Sequence, residues 1–433
     1  MDGCRGCRAL YALIMNSKLY EPAHMVVLTG GPCSGKSTSL AYLTEKLSDQ
    51  GFMVAVIPET ATMVTNNGIN RHIMDRMGQI RIYQESIIDI QLMMEETYKN
   101  AMEGAFPDKK KILLLDRGVM DTKAYLPKKE WDSILAKKGF SEINLRDRYA
   151  GVIHMLTAAD GLPGQYSADG NPARLEKTIG AAIEADRRTR NAWLGHRRLV
   201  VIGNQISFDE KIKRVLNVIL HHLGHTVFVG GEKKYLVGSV DISSLPEHQR
   251  INIEQTYLIS KVRGQRLMVK RRSQYGSCMY FLVRGDVKTR DGRNHTEEEI
   301  ITVQEYSKLL GMKDPKLNPV IKDRICFIWE NSHYEIDIYA GANEGLITFE
   351  TGLLAKRDFL PPFVKIKAEI TNNRNYSNRA LAGGKTKKAS TAPRHAPGKG
   401  GKSFFGKKWP LICPEEQSET DAQDAVASVC QGF

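Results

Sequence analysis

One stretch constrains this chain more than any other. MVVLT-GGPCSGKS-TSLAYLTEKL reads as strand, loop, helix, and Gly30-x-x-x-x-Gly35-Lys36-Ser37 matches the phosphate-binding P-loop in full. Glycines let backbone N–H groups turn inward, and the helix opening at Lys36 directs its positive dipole at a phosphate. Gly30, Gly31, Pro32, Cys33, Ser34, Gly35, Lys36, Ser37 and Thr38 are therefore expected to cradle ATP or GTP. Lys36 is the residue expected to reach the β/γ-phosphates, and Ser37 to offer its hydroxyl to Mg²⁺.

The partner motif is KKKILLLDRG. Its apolar run ends in Asp116 at the carboxyl end of a buried strand, where a second carboxylate can hold Mg²⁺ through water. VIPET places Glu59 at the end of another strand, facing the same crevice. There it can act as a base on a substrate hydroxyl or serve as a helix cap or ion pair. Arg174, within a Gly/Pro/Asn-rich loop, and Arg187 and Arg190, after it, are candidates for a lid that neutralises transition-state charge. Asn204, just past VVIG, is a candidate contact to the base.

Around these motifs, Met25–Thr29, Met53–Pro58, Ile112–Asp116, Gly151–Thr157 and Leu199–Gly203 are short and apolar, and each precedes a helical pattern. That rhythm predicts a parallel α/β sandwich over residues 24–224. From 225 to 383 the pattern turns to strands that alternate charged with apolar residues. They are Thr226–Val229, Asn252–Ile259, Gln265–Arg272, Cys278–Arg284, Ile321–Glu330, His333–Tyr339 and Leu346–Thr351. Glu297–Leu310 reads as one helix. This is expected to be a second, antiparallel β domain.

The formal charge is +13, which attracts phosphate-bearing partners. Thr371–Leu411 holds ten Lys/Arg and no acid, whereas Cys413–Phe433 holds five acids and no base. Residues 384–433 read as a disordered tail. Its Lys/Arg mixed with Phe404, Phe405 and Trp409 suits the anionic face of a membrane; RNA binding, a nuclear signal and simple solubilisation are the alternatives. Residues 1–23 read as a leader without a signal-peptide layout, and no run of 18 apolar residues is present. Seven scattered cysteines predict a reducing, cytoplasmic setting.

The order VIPET, DRG and Arg-rich lid resembles the small-molecule kinase branch of P-loop proteins, near nicotinamide-riboside and deoxynucleoside kinases. That resemblance implies Glu59 as base and an Asp116-Arg117 pair beside the substrate. INIEQTYLI, GQRLMVKRRSQYGSCMYFLVRG, IKDRICFIWENSHYEIDIYAG and LITFETGLL are similar to the triphosphate-tunnel (CYTH) superfamily. The resemblance implies an eight-stranded antiparallel tunnel whose inward basic residues bind polyphosphate and whose glutamates bind metal. The residues expected in it are Glu254, Lys270, Arg272, Arg284, Lys322, Arg324, Asp337 and Glu350. The pattern departs from the superfamily's. Its opening Glu-x-Glu-x-Lys reads Asn252, Glu254 and Thr256, and its closing Glu-x-Glu reads Glu350 and Gly352, so binding of a phosphorylated ligand is expected here rather than hydrolysis.

The pairing of the two halves, over about residues 24–383, resembles the TRPL translocation defect family. This implies binding of GTP and of phosphoinositides, and a role in membrane-protein trafficking. An ATP-dependent kinase for a nucleoside-like acceptor and a nucleic-acid-binding adaptor are the alternatives, and the choice between ATP and GTP stays open.

Overall fold

A computed structural model describes residues 22–384, apart from 163, 165–175, 177, 226, 228, 261–264, 289–293 and 356–359. The leader up to residue 21, the tail from 385 and Arg174 lie outside the described residues. Among the described residues no helix is long and apolar enough to cross a membrane.

The first half alternates strand and helix. In chain order it runs β1 (Ala23–Thr29), α1 (Lys36–Asp49), β2 (Phe52–Ile57), α2 (Thr60–Asn66), α3 (Arg71–Arg76), α4 (Ile80–Ala105) and β3 (Lys110–Asp116). A 3-10 helix (Val119–Tyr125), α5 (Lys128–Lys138), α6 (Glu142–Asp147), β4 (Gly151–Met155), α7 (Ile179–Ala192), β5 (Leu199–Ile202) and α8 (Phe208–His222) complete it. The five strands pair in parallel in the order β2-β3-β1-β4-β5.

Both faces of this sheet are covered, which is why its strands read as continuous apolar runs. Val27, Leu113, Leu115 and Val152 pack with Trp131, Tyr149 and Trp193 on one face. Val26, Leu28, Leu114 and Ile153 pack with Leu43, Leu47, Val215 and Ile219 on the other. Strand period two divides the residues between the two cores, and the amphipathic helices close them.

The second half contains β6 (Lys234–Val240), β7 (His248–Leu258), β8 (Arg266–Gln274), β9 (Ser277–Lys288), β10 (Asn294–Ile301), α9 (Val303–Leu310), β11 (Val320–Trp329), β12 (Ser332–Ala340), β13 (Ile347–Thr351), β14 (Val364–Glu369) and α10 (Asn378–Ala382). Its sheet is antiparallel and nine-stranded, in the order β10-β9-β8-β7-β11-β12-β13-β6-β14. Strands from both ends of that order line one cavity, so the sheet curls around it. On the outer side Tyr235, Phe327, Tyr334, Phe349 and Phe363 form an aromatic core; Tyr334 and Phe349 stack with ring centroids 5.3 Å apart.

Three readings of the sequence change here. The stretch 226–229 is no strand at its described residues; Val229 instead packs into the second core of the first sheet as a connector. The stretch Glu297–Leu310 divides. Asn294–Ile301 pairs with β9, and the helix starts only at Val303, where Thr302 and Glu305 form a capping box. The sheet gains β6 and β14, which bring it to nine strands rather than eight.

The two halves share buried contacts. Ile328 of β11 belongs to a core of the first sheet. The Asp147 carboxylate accepts from Arg146 Nε at 2.9 Å and from Arg272 Nε at 2.8 Å, with all three side chains almost fully buried. Arg272 also donates to the Gly195 carbonyl at 2.6 Å.

Candidate functional site

The P-loop turns between β1 and α1. Gly30 has φ 147°, and a Cβ there would stand 2.1 Å from the Met155 carbonyl oxygen; Gly35 has φ 89°. Only glycine meets both demands without strain. Lys36 folds back over the loop and donates to the Gly30 and Gly31 carbonyls and to Ser34 Oγ at 3.0–3.1 Å. Burial lowers its ammonium pKa below the ordinary range.

Ser37 donates its hydroxyl to Asp116 Oδ2 at 2.6 Å, so the residues expected to share a cation are neighbours. Asp116 Oδ1 is buried and meets no hydrogen-bond partner among the described residues. A hydroxyl and a carboxylate with a spare oxygen, beside a phosphate cradle, fit Mg²⁺, which takes oxygen ligands and keeps several waters.

Beside the loop opens a crevice of about 530 Å³. Glu59 lies in it, accepting from Arg117 Nε at 2.6 Å and from the Thr62 hydroxyl at 2.7 Å. Arg117 sits at φ 70° and also reaches Asp121 at 3.3 Å. Burial opposes ionisation of Glu59, but Arg117 and Lys36 outweigh it and hold the carboxyl down at about 2. Arg71, Tyr83, Gln84 and Tyr125 line the far wall.

A residue that sequence reasoning passed over completes the loop. Asp186 of α7 accepts from the Gly31 N–H at 2.7 Å and the Thr157 N–H at 2.9 Å, and its other oxygen lies 3.0 Å from His154 Nε2. No local signal links it to a glycine 155 positions earlier. Its neighbours on α7 point elsewhere. Arg187 pairs with Glu184 and Glu247 at the surface rather than over the loop, and Arg190 donates to Asn331 in the β11–β12 turn. Asn204 is spent on structure: it donates to the Thr157 and Asp160 carbonyls and accepts from Lys211.

The second site is a cavity of about 600 Å³ inside the curled sheet. Among the described residues, ten Arg and Lys side chains line it against two carboxylates, Glu298 and Glu350. Lys270, Arg272, Lys322 and Arg324 face inward, as does Glu350. Arg197 and Arg198, in the segment between α7 and β5, enter it from the first half. Arg324 is clamped by carboxylates: Nε meets Asp337 Oδ1 at 2.7 Å, Nη2 meets Glu350 at 2.9 Å, and Nη1 meets Glu335. Lys322 donates to Asp337 at 2.6 Å. Burial alone would lower the Arg324 pKa, but these acids raise it instead, so a guanidinium neutralises the carboxylate cluster from within.

Two expected tunnel residues face outward. Register sets Glu254 opposite Arg271, to which it is bonded at 2.7 Å, and Arg284 opposite Leu267, with its guanidinium 2.8 Å from Glu299. Arg272 has its guanidinium committed to Asp147 and Gly195 at the junction of the two halves.

Comparison with known proteins agrees with the first half of this description. A family model described as an AAA domain matches residues 25–211. No curated protein matches the chain. Among solved structures, an inorganic triphosphatase is similar at 23% identity, over 36% of this chain and 97% of its own, with a TM-score of 0.28. The deoxyadenosine kinase from M. mycoides with bound dATP is similar at 11% identity, over 45% of this chain and 98% of its own, with a TM-score of 0.33. With its loop, its parallel sheet and the family match, residues 25–211 form a P-loop domain of the nucleotide-binding kind.

Proposed function

We propose that this protein binds ATP or GTP with Mg²⁺ at the P-loop and a phosphorylated, phosphoinositide-like ligand in the basic cavity, and that it works as a nucleotide-regulated factor in membrane trafficking. The observation that carries the reading is the lining of the cavity, ten basic side chains to two acidic ones, in a space sized for a small polyanion. Ser37 and Asp116 would hold the Mg²⁺, whose charge offsets that of the β- and γ-phosphates. Lys36 is already poised at the loop to exchange its carbonyl contacts for phosphate oxygens.

Helix α7 supports communication between the sites. It carries Asp186 at the P-loop and leads, within a few residues, to Arg197 and Arg198 in the cavity. Coupling requires each ligand to change the other's affinity by the same factor.

The test is calorimetric titration of ATPγS and GTPγS, with Mg²⁺, into the full chain and its Lys36→Ala variant, with and without an inositol polyphosphate. Lys36-dependent nucleotide binding and an equal reciprocal shift are expected. Nucleotide binding with no response to the headgroup compound would remove the coupling.

The crevice beside the P-loop favours a second reading, an ATP-dependent kinase for a nucleoside-like acceptor with Glu59 as base. Glu59 held at about 2 by Arg117 is a weak base, so on this reading the acceptor must first draw Arg117 away. Steady turnover with nucleosides, lost in Glu59→Gln, would establish it.

A further inference from the structure

Beyond the basic cavity, the inward face of β11 and β12 carries three side chains that neither reading employs. Cys326 and Glu335 are direct partners across the strand pair, and His333 lies two residues before Glu335, hence on the same face. One donor atom from each, the Cys326 sulfur, a His333 ring nitrogen and a Glu335 carboxylate oxygen, all fall within 4.8 Å of one another. Cys326 is 1% exposed and His333 6%. His333 Nε2 is buried without a hydrogen-bond partner among the described residues. Such a group costs about 1–3 kcal/mol of desolvation unless something meets it.

We propose that Cys326, His333 and Glu335 bind one divalent cation, and that the cation is zinc. A thiolate, an imidazole and a carboxylate are three of the donors zinc accepts in tetrahedral sites, whereas Mg²⁺ and Ca²⁺ prefer oxygen alone. The thiolate and carboxylate together cancel the charge of the ion. Water takes the fourth position. Arg324, bonded to Glu335, orients that ligand from behind, as outer partners of metal sites do.

The place gives the ion its role. Ile328, next on the same face after Cys326, packs into a core of the P-loop sheet, and β12 packs against β5. The metal therefore lies under the junction of the halves, where it stiffens the β11–β12 ladder against the first sheet. It is a site separate from Ser37 and Asp116, whose oxygen donors suit Mg²⁺.

The experiment uses the full chain, stripped of metal by a chelator and titrated with Co²⁺ in excess Mg²⁺. One equivalent is expected to produce a thiolate-to-cobalt charge-transfer band, which Zn²⁺ then bleaches. The band is expected to be lost in Cys326→Ser, and His333→Gln to weaken affinity at least ~10-fold. X-ray absorption on the zinc-loaded wild type needs no variant to fold. It should report one sulfur at about 2.3 Å with nitrogen at about 2.0–2.1 Å. An oxygen- and nitrogen-only shell, a shell with two sulfurs, or a cobalt band that survives Cys326→Ser would overturn the proposal.

Discussion

Replacing Asp147 with Asn tests how the two halves are held together. Asp147 is fully buried between two guanidiniums, at 2.9 Å from Arg146 and 2.8 Å from Arg272. Burial works against its charge, yet Arg146 and Arg272 hold the carboxyl well below the usual range, so it is ionised at pH 7. In Asp147→Asn both guanidiniums stay buried. Arg146 keeps the Leu194 carbonyl and Gln274, and Arg272 keeps the Gly195 carbonyl, but neither keeps a counter-charge in contact. Breaking a buried pair from one side costs about 3–5 kcal/mol, and the surviving amide oxygen argues for the lower figure. At about 2–4 °C per kcal/mol for a domain of this size, the melting temperature should fall by roughly 6–12 °C. Arg272→Met should cost less, because Asp147 keeps Arg146. The assay is thermal unfolding followed by circular dichroism, with calorimetry to see whether one transition separates into two. A drop of under 2 °C, or a larger loss in Arg272→Met than in Asp147→Asn, would refute the reasoning.

Three further outcomes are expected. Gly30→Ala puts a methyl group against the Met155 carbonyl at a backbone angle that alanine rarely adopts; it should cost about 1–3 kcal/mol in melting experiments and abolish calorimetric nucleotide binding. His196 is buried and neutral, because Nδ1 accepts from the Arg198 N–H and Nε2 faces the Tyr149 carbonyl; burial first, and then the nearby Arg197, bring it down to about 3. Its contribution to stability is present above pH 6.5 and is lost as pH falls from there toward 3, so at pH 5 about 2 kcal/mol should be missing in urea titrations, and His196→Gln should flatten that slope. Replacing Arg374 and Arg379 together with alanine removes two of the ten cavity cations, and should weaken inositol polyphosphate binding by ~10-fold or more and reduce its salt dependence without altering nucleotide affinity.

The P-loop half was legible because its signals are local. Strands buried on both faces are apolar throughout, and the loop's glycines stand at fixed spacing, so five strands and the Lys36, Ser37 and Asp116 cluster follow from short windows. The β half obscures its faces because both carry charge. In RLMVKRRSQ, period two separates Lys270 and Arg272 from Arg271, but only the register with β7 and β9 tells which set points inward. The sequence pattern alone puts Glu254 and Arg284 inside; the register turns both outward. Glu297–Leu310 misleads because TEEEI has glutamates that favour a helix, while Glu298 is claimed by Lys270 and Arg197 in the sheet. Asp186 and the Cys326–His333–Glu335 group depend on contacts between separate elements or strands, which no single window contains.

The Asp186 carboxylate already occupies the Gly31 N–H at the P-loop. If phosphates bind at the loop as proposed, Asp186 is a tethered competitor for the Gly31 N–H, held at high local concentration. On the proposed reading, a nucleotide with several phosphates and a cation would displace it by summed contacts that a single small anion lacks. On the same reading, displacing Asp186 would free the helix that carries it, and that helix leads to Arg197 and Arg198 in the second cavity.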